Sequence, residues 1–138
     1  MTPADVAQVW QKALANASDA ELPGISLEGT IQSAYTAGLN AALCLLLAYG
    51  LKTQGGGGHH ERTFFVAQEL GGARLDDLVV DSSEIRSLRA GSVYDPVLAD
   101  EEDRTSAIQW MRRTLPLIRQ ALLEADEELA PRLPNFKP

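Results

Sequence analysis

The chain has 138 residues, of which 45% are hydrophobic and 22% charged, and its formal net charge is -7 at pH 7. This length suits one compact domain whose core needs no disulfide or metal to hold it together. The acidic balance argues against a broadly basic nucleic-acid surface, but it is compatible with a local basic patch. The single cysteine, Cys44, lies in the most apolar run, which is typical of a small buried hydrophobe rather than a nucleophile.

The first residues predict the start of a helix. Thr2 is a suitable N-cap, Pro3 suits the first turn, and Asp5 favours the positive end of the helix dipole. Apolar residues then recur at helical spacing, so we expect a first helix to about Asn16, within an N-terminal helix and linker at 1–24. The basic start and apolar stretch of a signal peptide are missing, so the expected location is cytoplasmic.

The most apolar segment of the chain follows. Ser26 is a candidate N-cap for a long second helix, which we expect to end near Lys52. Every position from 41 to 51 is apolar except Gly50, so this half should be covered on all sides, as in the central helix of a bundle. The uninterrupted apolar run is shorter than the ~20 residues that a membrane span needs, so no membrane association is predicted.

Further helices are predicted in the second half, at 59–70, at 74–94 and from Asp100 onward. Within 74–94, the capping box Asp81-Ser82-Ser83-Glu84 predicts a break or kink and a fresh start near Ser83, and Gly91 and Asp95-Pro96 predict the end. Pro116 should kink the last helix because it removes a backbone donor. The proline-rich tail at 131–138 is expected to be loosely held.

The predicted fold class is all-α. No stretch of useful length alternates polar and apolar residues with the period of two that strands show. Short links between four or five amphipathic helices favour an antiparallel up-and-down bundle, which we place at 25–130.

His59-His60 is the first candidate for chemistry. A metal site would need further ligands at defined spacing, such as His-Glu-x-x-His, and the sequence offers none. The pair can instead cap or pack the start of a helix, or support a pocket. The four glycines at 55–58 lack the preceding strand and the following Gly-Lys-Ser/Thr of a phosphate-binding loop. No metal and no cofactor are therefore expected.

The second candidate is the segment 84–95. Arg86 and Arg89 are three residues apart and share a helix face. Tyr94 follows Arg89 by five residues, so in a continuous helix the two residues would lie on different sides. If the helix ends at Gly91, Tyr94 can fold back towards Arg89. Two arginines on one face can equally be ordinary surface charge.

Four features of the chain together resemble the HEPN superfamily of α-helical domains. They are the order of the helices, the Tyr35-x-x-x-Leu39-x-Ala41-Ala42-x-x-Leu45-Leu46 pattern, the Gly58-His59-His60 opening of the next helix, and the Arg86-x-x-Arg89-x-x-x-x-Tyr94 ending. The resemblance covers roughly residues 26–129 and leaves 1–20 as an additional N-terminal helix.

The resemblance implies a bundle that dimerises, often as a toxin or as the partner of a minimal nucleotidyltransferase in a toxin–antitoxin pair. Active members of the superfamily are metal-independent RNases that use an arginine, usually a polar residue next, and a histidine four to six residues after the arginine. Arg89 corresponds to that arginine, Ala90 departs from the polar position, and Tyr94 stands where the histidine belongs. Tyrosine, with an unperturbed pKa of ~10, is a poor proton shuttle at neutral pH compared with imidazole.

Three hypotheses follow. The leading one is a non-catalytic or weakly catalytic HEPN-like domain that binds RNA, a nucleotide or a partner protein through Arg86, Arg89 and Tyr94. His59 and His60 belong to the same candidate ligand site. The second is a metal-independent ribonuclease toxin in which Arg89 stabilises the phosphate and Tyr94 replaces the histidine. The third is a structural homodimeric bundle without a ligand.

Overall fold

A computed structural model describes residues 2–52, 58–94 and 99–137, and for 89–94 it describes the backbone alone. The described residues form five α-helices and two short 3-10 helices and contain no strand, so the predicted all-α class is confirmed. The α-helices are α1 (Pro3–Ala20), α2 (Leu27–Ala48), α3 (His59–Gly71), α4 (Leu78–Tyr94) and α5 (Glu101–Ala125), and the 3-10 helices are Gly72–Leu75 and Glu127–Arg132.

Three helices begin at the predicted caps. At the start of α1, the Asp5 backbone N–H donates to Thr2 Oγ1 (3.3 Å) while Asp5 Oδ2 accepts from the Thr2 backbone N–H (2.9 Å), which is a complete capping box. The Thr2 backbone N–H and hydroxyl both donate to Asp5 Oδ2 and hold the pKa of that carboxyl below its ordinary value. Ser26 caps α2 through the backbone N–H of Gly29, and Asp100 caps α5 in a second capping box.

The core is built around α2, but two predictions for its second half are wrong. The helix ends at Ala48 instead of near Lys52, and the apolar run at 41–51 is not covered on all sides, because Tyr49 and Leu51 are 48% and 42% exposed. On one side α2 packs against α1, whose Trp10 and Ala17 are fully buried, and on another side it packs against α5. The six-membered ring of Trp110, on α5, lies so close to Gly38 that any side chain at Gly38 would overlap it. The N-terminal helix therefore belongs to the same core as the other helices, and it continues beyond the predicted end near Asn16 to Ala20 because Ala17 and Ala20 are buried.

By length and composition alone, α2 could also cross a membrane. Within its most apolar window, 56% of the residues are buried inside the fold, and the core helix of a soluble protein passes the same test. The observation is therefore weak evidence for a membrane span.

The break predicted inside α4 is wrong, and Gly91 does not end the helix. The helix begins at Leu78 and runs through the sequence of the expected capping box and through Gly91 to Tyr94. Its start is held by a distant residue, because Gln68 Oε1 on α3 accepts from the Val79 backbone N–H at 2.8 Å. Ser82 is buried and its hydroxyl donates back to the Val79 carbonyl at 3.1 Å, so it is satisfied inside the helix and does not cap a new one.

The prediction of a loosely held C-terminal tail is also wrong. Leu133 is fully buried, and its carbonyl accepts from Arg119 Nε at 2.6 Å. Trp10 Nε1 donates to the carbonyl of Pro134 at 2.7 Å, and Phe136 packs against the core. The tail is therefore fastened to both α1 and α5.

Candidate functional site between α3 and α4

A cleft of about 230 Å³ lies between α3, α4 and the middle of α2. We call it the α3–α4 cleft, and its lining residues are Tyr35, Glu61, Phe64, Val79, Ser82, Ser83 and Arg86. It combines aromatic and aliphatic surface with hydroxyls and one ion pair, as binding sites for small organic ligands commonly do.

Two aromatic rings form the apolar part of the cleft. Tyr35 on α2 and Phe64 on α3 are both buried, with ring centroids 5.8 Å apart and planes tilted by 58°. Phe64 also meets Trp110 edge-on, at a centroid distance of 6.2 Å. Tilted and edge-on arrangements of this kind are favourable for aromatic pairs, so the rings are fixed by one another and by the core behind them.

An ion pair forms the polar part of the cleft. Arg86 Nη1 on α4 lies 2.7 Å from Glu61 Oε1 on α3. The two side chains are 37% and 73% exposed, and a pair this exposed contributes little to stability and is screened by salt. Arg86 can therefore exchange the Glu61 carboxylate for another anion at small cost.

The two histidines lie beside the cleft at the start of α3. The ring of His60 is 5.9 Å from that of Tyr35, and the His59 and His60 rings are 4.3 Å apart in an edge-on arrangement. Both are half-buried, so they pack at the helix start and adjoin the cleft through Tyr35. Within the described ranges, no group of three or more His, Cys, Asp or Glu side chains is placed to hold a metal ion.

Cys44 does not contribute a reactive group. It is fully buried, its thiol donates to the Val6 carbonyl at 3.7 Å, and burial raises the pKa of that thiol. The sequence-based interpretation of Cys44 as a buried hydrophobe agrees with this environment.

For Arg89 and Tyr94 the structure describes the backbone alone. Arg89 follows Arg86 by three residues in α4, so the two positions lie on similar sides of the helix. Tyr94 follows Arg89 by five residues of unbroken helix, which is roughly 140° around the axis. The expected fold-back of Tyr94 after Gly91 is therefore wrong for the backbone, and the side chains of Arg89 and Tyr94 lie outside the described part of the structure.

The structure brings Arg86 and the histidines into one neighbourhood, and it adds residues that the sequence did not assign to the site. The sequence pattern identifies neither Glu61 as the partner of Arg86 nor Phe64 as part of the site. One sequence signal could have assigned Phe64 to the site: His60 and Phe64 are four residues apart and so share a face of α3.

Comparison with known proteins found no matching family model, no similar curated protein and no similar solved structure. The resemblance to the HEPN superfamily therefore remains a prediction from the sequence.

Proposed function

We propose that this protein is a HEPN-like helical domain, non-catalytic or weakly catalytic, that binds single-stranded RNA or a nucleotide in the α3–α4 cleft. The observation that carries the proposal is the position of Arg86 beside a cleft lined by Tyr35 and Phe64. A phosphate-binding group thus lies beside the apolar wall of the cleft.

The chemistry of these groups favours a nucleotide unit. A guanidinium binds phosphate through two parallel hydrogen bonds, whereas the rings of Tyr35 and Phe64 are only 1% and 2% exposed, so the phosphate contact is expected to dominate binding. Arg89, one helical turn after Arg86, supplies a second positive charge on a chain whose net charge is -7. Binding is therefore expected to be local, weak and sensitive to salt.

Cleavage of the bound RNA is expected to be slow or absent, because Tyr94 stands where active HEPN ribonucleases have a histidine. Metal-independent ribonuclease activity is the alternative proposal. RNA cleavage that survives a chelator and disappears in Arg89→Ala would support that alternative.

Two kinds of protein partner are proposed along with the ligand. The first is a second copy of the chain, and the second is a minimal nucleotidyltransferase of the toxin–antitoxin type. Co-purification with a nucleotidyltransferase encoded beside this protein would support the second.

The direct test is fluorescence anisotropy of a short labelled single-stranded RNA at several salt concentrations. The double variant Arg86→Ala, Arg89→Ala should lose the binding and keep its melting temperature, because the Arg86–Glu61 pair is exposed. The matched control is Lys12→Ala, Arg132→Ala, which removes the same charge at two exposed positions outside the cleft. If both double variants bind like the parent, or if the arginine variant unfolds, the proposed site is wrong.

A further inference from the structure

Two side-chain bonds connect α3 to α4, and the α3–α4 cleft lies between them. At one end, Arg86 Nη1 pairs with Glu61 Oε1. At the other end, Gln68 Oε1 on α3 accepts from the Val79 backbone N–H on α4. Gln68 follows Glu61 by seven residues, and Arg86 follows Val79 by the same number, which is about two helical turns or roughly 10 Å. Glu61, Val79 and Arg86 all line the cleft, so the two bonds bracket it.

The two bonds differ in how easily they exchange. The ion pair is exposed, so water, salt and a ligand phosphate compete for it. The bond from Val79 is neutral, partly buried and 2.8 Å long. It satisfies one of the N–H groups that the first turn of a helix leaves without an intrahelical partner, so losing it costs free energy. Gln68 therefore makes the lasting bond, and Glu61 makes the exchangeable one.

Packing alone does not fix the position of α4 along α3. The inward side of α4 is formed by Leu78, Ser82 and Ile85, which recur at helical spacing and are buried. Apolar burial is non-directional, whereas a hydrogen bond needs its donor and acceptor aligned. A slide of α4 by one residue would move Arg86 by about 1.5 Å relative to the cleft. When a phosphate has displaced Glu61, the bond of Gln68 still aligns the two helices.

We propose that Gln68 is a positioning residue for the anion site at Arg86. It does not line the cleft, and it acts through its bond to Val79, which keeps α4 where the guanidinium faces the cleft after Glu61 has been displaced. The inference rests on the proposed function for its ligand, single-stranded RNA or a nucleotide. The position of α4 can be measured without that ligand.

Two substitutions at Gln68 separate its hydrogen bond from its volume. Gln68→Met keeps the length of the side chain and removes the acceptor. Gln68→Glu keeps an acceptor beside the start of α4, where negative charge is favourable. The matched control for stability is Thr2→Ala, which removes a cap of α1 outside the cleft. Gln68→Met and Thr2→Ala should both lower the melting temperature, and Gln68→Glu should not.

RNA affinity is the property that a loss of stability alone would not change. Gln68→Met should weaken binding of the labelled single-stranded RNA by about two- to tenfold, which corresponds to the loss of one hydrogen bond. Thr2→Ala should bind like the parent. Gln68→Glu should bind nearly as well, because its added charge lies about a Debye length from Arg86. Equal affinities of Gln68→Met and the parent, or equal losses in Gln68→Met and Thr2→Ala, would overturn the proposal.

A double-mutant cycle tests whether Gln68 and Glu61 act on the same guanidinium. In the parent, Glu61→Gln removes the competitor of the phosphate and should strengthen RNA binding. In the Gln68→Met background, the Glu61 carboxylate is also needed to align α4, so the same change should give no gain. An equal gain in both backgrounds would show that Gln68 does not position Arg86.

A distance measurement without RNA distinguishes failure of this inference from failure of the proposed function. Spin labels are attached to the full chain through Arg62→Cys and Ser87→Cys, at exposed positions next to the ion pair, while Cys44 is fully buried. Labelled chains are diluted with unlabelled ones, so only distances within one chain are recorded. The distribution should be narrow in the parent and in Gln68→Glu, and broader or shifted in Gln68→Met.

The same distribution in all three proteins would overturn the positioning role of Gln68, even if the parent binds RNA. A changed distribution in Gln68→Met alone, together with no RNA binding by the parent, would support the positioning of Arg86 by Gln68 and refute the proposed function.

Discussion

Arg86 on α4 and Glu61 on α3 form an ion pair of 2.7 Å beside the α3–α4 cleft. The Glu61 carboxylate is bound to the guanidinium that would bind the ligand phosphate in the proposed function. Glu61 is therefore a competitor of that phosphate, and the ion pair connects the two helices that flank the cleft.

Removing the charge of Glu61 should strengthen RNA binding. An exposed ion pair is worth about 0.2–1 kcal/mol, so Glu61→Gln should raise the affinity by a factor of about 1.4 to 5. The control is Glu69→Gln, an exposed position on the same helix that does not line the cleft. Anisotropy titrations at low salt measure both variants. If Glu61→Gln binds no better than Glu69→Gln, Glu61 does not compete with the ligand.

The close approach of α2 and α5 predicts that Gly38 does not tolerate a side chain. Gly38→Ala would place a methyl group into the ring of Trp110, and overpacking of this kind costs typically about 1–3 kcal/mol. Helix propensity alone predicts the opposite, a gain of about 1 kcal/mol. Urea denaturation therefore separates the two effects. Ser18→Ala, at an exposed site on α1, is the control and should be nearly neutral. A Gly38→Ala variant more stable than the parent would show that the two helices lie further apart.

Because the C-terminal tail packs on the core, a substitution close to the end of the chain should have a large effect on stability. Leu133 is fully buried, so Leu133→Ala should lower the free energy of unfolding by about 2–5 kcal/mol. Leu22→Ala makes the same chemical change at a residue that is 54% exposed and should stay within about 0.5 kcal/mol of the parent. Equal midpoints for the two variants in urea would mean that the tail does not contribute to the core.

The elements that could be predicted from the sequence are those fixed by near neighbours. The starts of α1, α2 and α5 depend on caps within three residues, and Thr2, Ser26 and Asp100 identify them directly. The apolar run of α2 likewise predicts its central position.

The elements that were predicted wrongly depend on distant contacts. The start of α4 is capped by Gln68, 11 residues before Val79, and the tail is held by Trp10, 124 residues before Pro134. No local pattern encodes these bonds. The candidate site shows the same division: Arg86 and the histidines carry recognisable chemistry, whereas the pairing of Arg86 with Glu61 requires the packing of α3 on α4.

Two exposed apolar residues near the cleft motivate the prediction of a homodimer. Phe65 on α3 is 55% exposed and Val80 on α4 is 60% exposed, and each follows directly a residue that lines the cleft. Covering them with a second copy would bury apolar surface, and a two-fold axis would bring the same surface of both copies together.

Light scattering coupled to gel filtration should therefore give twice the monomer mass of 14.9 kDa at micromolar concentration. Phe65→Lys, Val80→Lys should shift the protein to the monomer, because four unpaired ammonium groups would then face one another across the interface. Lys substitutions at the exposed positions Gln11 and Ser18 on α1 change the charge by the same amount and should leave the dimer intact. A monomer mass for the parent would refute the homodimer. A dimer that persists in the Phe65, Val80 variant would place the interface on another surface.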